Sequence, residues 1–202
     1  MANLPGNNGN VPDSKKPRSR KTTRARKKHS YYTDCRSGYY ILTRPERYMT
    51  KGVDRVKYKS SWEMEFFKVC DGNPLVTKWA YEPFDISYYS PALMKQSLYR
   101  PDVYLEICYT DGRTEKWLIE IKPVAYSVVP TPPKPPPPGC QDPEKHARYQ
   151  KRMAAYQRKS LDVATNYAKW EAAEAWCKEN GVNWMIFNEN NTRGLFRTPA
   201  AK

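Results

Sequence analysis

Trp117-Leu118-Ile119-Glu120-Ile121-Lys122-Pro123 is the stretch on which the fold turns. Bulky and β-branched apolar residues run between a turn signal, Asp111-Gly112, and Pro123, which is the pattern of a buried strand. Inside that run stand a carboxylate and an ammonium two residues apart. Period-two geometry puts Glu120 and Lys122 on one face. Charges on a buried strand are unfavourable unless they are paired or bound to a metal. Eighteen residues upstream of Glu120, Pro101-Asp102 opens a second strand-like run, Val103 to Tyr109. A hairpin through Thr110-Asp111-Gly112-Arg113 would lay the two runs side by side and carry Asp102 towards Glu120.

Asp, Glu and Lys gathered at one end of a hairpin suit metal-dependent cleavage of a phosphodiester. Asp102 and Glu120 are hard oxygen donors of the kind Mg²⁺ takes, with Mn²⁺ as a substitute; such an ion keeps several waters and uses substrate phosphate as a further ligand. It activates water and offsets charge that builds on phosphate. Lys122, a compact point charge, would steer water or phosphate. The plainer alternative is an edge-strand ion pair beside an ordinary turn. A third carboxylate lies upstream. Ser60 to Asp71 reads as a helix, with Ser60 or Ser61 as N-cap, acidic residues in the first turn and Gly72 as a stop. At helical spacing Glu63 shares a face with Phe66, Phe67 and Cys70, whereas Glu65 leans towards Ser61 and Lys68. Glu63 is therefore the carboxylate aimed at the core, where it would tune one metal ligand or a second metal site. Its simpler reading is a first-turn Glu that complements the macrodipole.

Taken in order, Tyr58-Lys59-Ser60-Ser61-Trp62-Glu63, Pro101-Asp102 and Glu120-Ile121-Lys122 resemble the PD-(D/E)xK nuclease superfamily. They resemble more closely its TnsA-like branch found in tailed-phage head completion nucleases. Lys169-Trp170-Glu171-Ala172-Ala173 matches the K-W-x-A-A helix of those proteins. The resemblance spans roughly Tyr58 to Asn188. It departs from the family at Val103, where an aromatic residue is usual, and in a proline tract after the E-x-K strand. It implies an α/β (α+β) restriction-endonuclease-like core with a mixed central sheet flanked by helices. It also implies a Mg²⁺-dependent endo- or exonuclease of double-stranded DNA acting in virion assembly, trimming packaged DNA so that head and tail can join. Glu63, Asp102, Glu120 and Lys122 would be its catalytic residues, the three carboxylates its metal ligands, and the capsid portal vertex or head–tail connector proteins its partners. A transposon-end or restriction-type endonuclease of the same superfamily is the nearest alternative. A DNA-binding structural virion protein without activity is another, though such a descendant has no need to keep four buried charges.

Charge supports a polyanionic partner. The 202 residues carry a formal net charge of +14. Residues 1–30 hold nine Lys and Arg against one Asp, and the remainder holds 26 basic and 20 acidic residues, so both portions are basic. Residues 1–30 are poor in apolar side chains and read as a disordered arm. Within it Arg18, Arg20, Lys21, Arg24, Arg26, Lys27 and Lys28 are candidates to touch DNA phosphates. Five scattered cysteines without a CxxC pair, and only two histidines, argue against structural zinc and fit reduced thiols. The N-terminus shows no apolar signal segment, and no run is long enough to cross a bilayer. The expected location is the host-cell cytoplasm during assembly, or the virion itself.

Residues 31–57 mix tyrosines with cations and read as an aromatic, basic extension lying on the domain surface. The nuclease core is expected over 58–189 and a loose tail over 190–202. Val76 to Tyr89 has strand character broken near Pro83, and Ser90 to Tyr99 reads as a connection. Seven prolines in the nine residues from 130 to 138 predict a polyproline II loop. Pro143 to Asn180 reads as one helix, with Pro near its start and Gly181 past its end. Its first half is cationic, and Ala164, Ala168, Ala172 and Trp176 form a stripe suited to a sheet. Asn166 and Lys169, on a neighbouring face, are candidates to reach the metal site or a phosphate. Val182 to Asn188 is a final apolar strand.

Overall fold

A computed structural model of the chain describes residues 37–188 and Asn190. The candidate phosphate-binding residues Arg18, Arg20, Lys21, Arg24, Arg26, Lys27 and Lys28 lie outside the described residues, as does the tail from residue 191. The centre is a four-stranded sheet built from β3 (Val76–Tyr81), β6 (Val103–Cys108), β7 (Thr114–Ile121) and β8 (Asn183–Phe187), in the order β3-β6-β7-β8. β6 and β7 form the expected antiparallel hairpin, with Val103 opposite Ile119 and Cys108 opposite Thr114. Gly112 closes it at φ 84°, a left-handed conformation that glycine adopts without steric penalty. β8 joins β7 in parallel, Ile121 facing Phe187. A parallel partner needs a long crossover, which is supplied by the proline tract and α2 (Pro143–Asn180). The sheet is therefore mixed, as a restriction-endonuclease-like core requires.

Both helices start and stop where their sequences direct. α1 (Ser61–Gly72) is capped by Ser60, whose hydroxyl accepts the Glu63 amide. Its buried face is Glu63, Phe66, Phe67 and Cys70, with Asp71 at the end. Phe67 packs on Trp79 and Tyr81 of β3, ring centroids 5.3 and 4.9 Å apart. α2 is capped by Asp142, which accepts the amides of Glu144 and Lys145, and ends on Gly181 at φ 65°. Its deepest residues are Val163, Trp170, Ala173 and Cys177. The alanine stripe is thus displaced to the flank: Ala164 is exposed and Ala168, Ala172 and Trp176 are half-buried. The larger side chains at seven-residue spacing take the deepest positions, while Trp176 stacks on Phe84 with centroids 4.5 Å apart.

Two regions differ from the sequence reading. Residues 38–58 contain a two-stranded unit, β1 (Gly38–Ile41) with β2 (Arg55–Tyr58), and they contribute core as well as surface. Leu42, Tyr48 and Val56 are buried with Phe67 and Trp79, while Tyr39 remains exposed beneath Arg55. Asp71 ties this unit down. Its fully buried carboxylate accepts the Thr43 amide and hydroxyl, the Arg44 amide and the Tyr40 phenol at 2.6–3.1 Å. Burial alone would raise the Asp71 pKa, but these four donors bring it below the ordinary value. The other region is the connection from Ser90 to Tyr99. It is a hairpin of β4 (Ile86–Ser90) and β5 (Lys95–Tyr99), Ile86 facing Tyr99. Pro83 does separate β3 from β4, as its missing amide hydrogen demands.

Candidate active site

The hairpin register decides the site. Val103 faces Ile119, so Asp102 and Glu120 stand at the next rung, where β6 begins and β7 nears its end. The Ile121 amide donates to Asp102 Oδ2 at 2.7 Å and fixes that carboxylate against β7. Glu120 is only 4% exposed. Its Oε1 lies 3.1 Å from the Lys122 ammonium, and its Oε2 accepts the Tyr99 hydroxyl at 2.5 Å. The backbone of Lys122 is held too, its amide donating to the Phe187 carbonyl at 2.9 Å.

Glu63 faces this cluster from α1. One of its oxygens accepts the Lys59 amide at 2.6 Å and the Tyr81 phenol at 2.9 Å, and the other accepts the Ser60 hydroxyl at 3.1 Å. It therefore acts as a first-turn capping group and as an inward-facing charge at once. It is close enough to Asp102 for its charge to be felt there. Glu65 points away, exposed and paired with Lys68 at 2.8 Å. Among the described residues no three carboxylate, histidine or cysteine side chains converge on one point that would hold a metal ion. Glu63 thus stands behind the Asp102–Glu120 pair, its oxygens already hydrogen-bonded.

The electrostatics show what this pair lacks. Burial, and then the neighbouring Glu120 carboxylate, push the Asp102 carboxyl well above its ordinary pKa; the Ile121 amide and Lys122 only partly offset this. Burial works against the Lys122 charge, but the Glu120 and Asp102 carboxylates more than compensate, and its pKa is raised. Asp102 and Glu120 thus share the Lys122 ammonium, and the Glu63 charge adds to the crowding of negative charge felt at Asp102. Two oxygen donors with unused lone pairs in a negative pocket fit a hard divalent cation, which needs only one or two carboxylates beside water and phosphate.

Two tyrosines complete the site, and the sequence pattern singles out neither. Tyr99 and Tyr81 are kept as phenols, because burial and the carboxylates they serve, Glu120 and Glu63, raise both pKa values. The signal for Tyr99 is its place three residues before Asp102, but the polar residues preceding it conceal a strand. Lys169 does come to the site: its ammonium lies 5.8 Å from the ring centroids of Tyr88 and Tyr99. Asn166 donates its amide to the Tyr126 carbonyl at 3.2 Å and ties α2 to the turn that follows β7.

A mixed sheet with a carboxylate pair and a lysine at one end of its central hairpin is a nuclease-like core. The sequence profile described as TnsA-like endonuclease N terminal matches residues 73–189, more than half of the chain. The chain belongs to this endonuclease family. It is also similar to the protein named head completion nuclease of Enterobacteria phage T4, with 28% identity over 144 residues, covering 70% of this chain and 83% of that protein. Among the described residues no helix is long and apolar enough to cross a membrane.

Proposed function

We propose that the chain is a metal-dependent DNA nuclease of the head-completion type, with Asp102, Glu120 and Lys122 as its reacting groups and Glu63 setting the charge behind them. The observation that carries this reading is the adjacent placing of Asp102 and Glu120 across the β6–β7 ladder, with the Lys122 ammonium beside them. A divalent cation, Mg²⁺ or Mn²⁺, held by Asp102 and Glu120 would supply Lewis acidity for hydrolysis of a phosphodiester. The chain's own groups do the positioning. The Ile121 amide fixes one Asp102 oxygen and the Tyr99 hydroxyl fixes Glu120, so neither carboxylate must reorganise during reaction. Lys122, kept protonated by its two carboxylates, presents positive charge where a phosphate oxygen gains negative charge. The basic composition and Lys169 beside the site favour double-stranded DNA as substrate. The likeness to the T4 protein supports a role in finishing a phage head, with portal-vertex or connector proteins as partners.

The test is incubation of the purified protein with linear and circular DNA, with and without Mg²⁺. Cleavage should require the metal. Asp102→Ala or Glu120→Ala should abolish it while leaving the far-UV spectrum unchanged. Full activity of either variant in a contaminant-free preparation would remove these residues from the centre.

A further inference from the structure

Away from the carboxylates, the proline tract and the first turns of α2 enclose a notch of about 230 Å³. Its polar lining is cationic: Lys134 from the tract, and Lys145, Arg148 and Arg152 from α2, with Tyr149 and Pro135 as apolar walls. That volume suits a phosphate group and is below the usual range for a larger organic ligand. The cations are available. Among the described residues Lys134 and Arg152 are in no ion pair. Lys145 and Arg148 pair only with Asp142 and Glu144, about one turn earlier on the exposed surface, and such pairs add little and exchange readily. The attraction is not that of a bare helix end, because Asp142 already accepts the first amides of α2. Lys134 is also held in place: the semi-rigid tract gives it little backbone freedom to lose on binding, and Pro133 before it is buried.

Charge along α2 is divided. From Pro143 to Ser160 there are six Lys and Arg against one Glu; from Leu161 to Asn180 there are two Lys against four acids. One of those two, Lys169, sits over the rings beside Glu120. The helix therefore offers positive charge at two places, the notch and the catalytic cluster. Arg152 and Lys169 are ~26 Å apart along the axis at 1.5 Å per residue. At 3.4 Å per nucleotide of each strand, that distance is about eight base pairs.

We infer that this notch seats a backbone phosphate of duplex DNA roughly eight base pairs from the scissile position, with α2 lying along the duplex between the two. The register to the cut rests on the nuclease reading above; the phosphate site itself does not. Binding of a labelled duplex of about 24 base pairs, measured in EDTA so that nothing is cut and over ~50–200 mM salt, tests it directly. The double substitution Lys134→Ala with Arg152→Ala should weaken binding and flatten the log–log salt slope by about one to two. Lys57→Ala, on the exposed face of β2, should leave the slope unchanged. In Mg²⁺ at saturating DNA the double variant should keep its turnover. If Glu120→Ala also kept turnover while the double variant lost the slope, the notch would stand and the catalytic assignment would fall. An unchanged slope would overturn the notch, and reduced retention on polyglutamate alongside it would reassign those cations to an acidic protein surface.

Discussion

Glu63 does two things that a sequence reading sets against each other: it caps α1 and it faces the Asp102–Glu120 pair. The capping box explains the spacing from Ser60, but not why Glu63 is nearly buried, at 9% exposure, beside Tyr81. Burial of a carboxylate is unfavourable unless donors meet it, and here the Lys59 amide, the Ser60 hydroxyl and the Tyr81 phenol do so. Glu63→Gln preserves size and one acceptor, but turns an amide nitrogen towards a donor. It should lower cleavage by orders of magnitude and stability by about 1 kcal/mol, the value of a typical hydrogen bond. Glu65→Gln, two residues on and in solvent, should stay within a few-fold of the parent in the same assay. The opposite ranking would show that the inward face of α1 is not the catalytic one. Lys122 follows the same reasoning at its own position: its ammonium serves Glu120 as a compact charge, a geometry that the broader arginine fork does not reproduce.

At the scale of elements, the β4–β5 hairpin is a brace for the site. It belongs to neither the main sheet nor the β1–β2 unit, yet Tyr99 at its end reaches Glu120, and Tyr88 lies under Lys169. Tyr99→Phe keeps the ring and removes the donor from a buried carboxylate. It should lose roughly 1.5–3 kcal/mol in urea unfolding performed in EDTA, the range for hydrogen bonds to charged groups, and cleave more slowly in Mg²⁺. Tyr89→Phe, exposed on the other face, should change neither. The hairpin is illegible in the sequence for a physical reason. Lys95-Gln96-Ser97 has no apolar alternation, because β5 is largely exposed and only Tyr99 at its end is buried. The four-residue strands are hidden likewise: β2 carries Arg55 and Lys57 on its outward face, and β1 leaves the apolar Tyr39 and Ile41 exposed, so β1 shows no clean alternation. By contrast β6, β7, α1 and α2 are legible, since each buries a whole face and so carries the period of its backbone. Asp102, Glu120 and Lys122 can be read because they interrupt such a face. Tyr81, Tyr99 and Asp71 cannot, because each is ordinary in its own segment and gains its role only from a partner distant in the chain.

For the whole molecule, the densest run of positive charge and the proposed chemistry occupy different parts of the chain. The proposed catalytic groups fall between Glu63 and Lys122, while residues 1–30 carry nine of the 35 Lys and Arg. Deleting residues 2–28 should therefore weaken DNA binding and flatten its salt dependence by about 0.9 for each phosphate that the arm had neutralised. Turnover at saturating DNA should survive. A truncated protein with the full salt slope would assign the arm to something other than phosphate. The parallel pairing of β8 with β7 also bears on the order in which the proposed site is assembled. Lys122 is anchored by the Phe187 carbonyl, and Phe187 is made only after the proline tract and the whole of α2. At ordinary rates of translation the ribosome needs on the order of ten seconds to pass from one residue to the other. During that interval the nascent chain already contains Glu63, Asp102, Glu120 and Lys122 but lacks the strand that sets Lys122 in place. On the proposed assignment, a nascent chain cannot seat Lys122 until β8 has been made and has paired with β7.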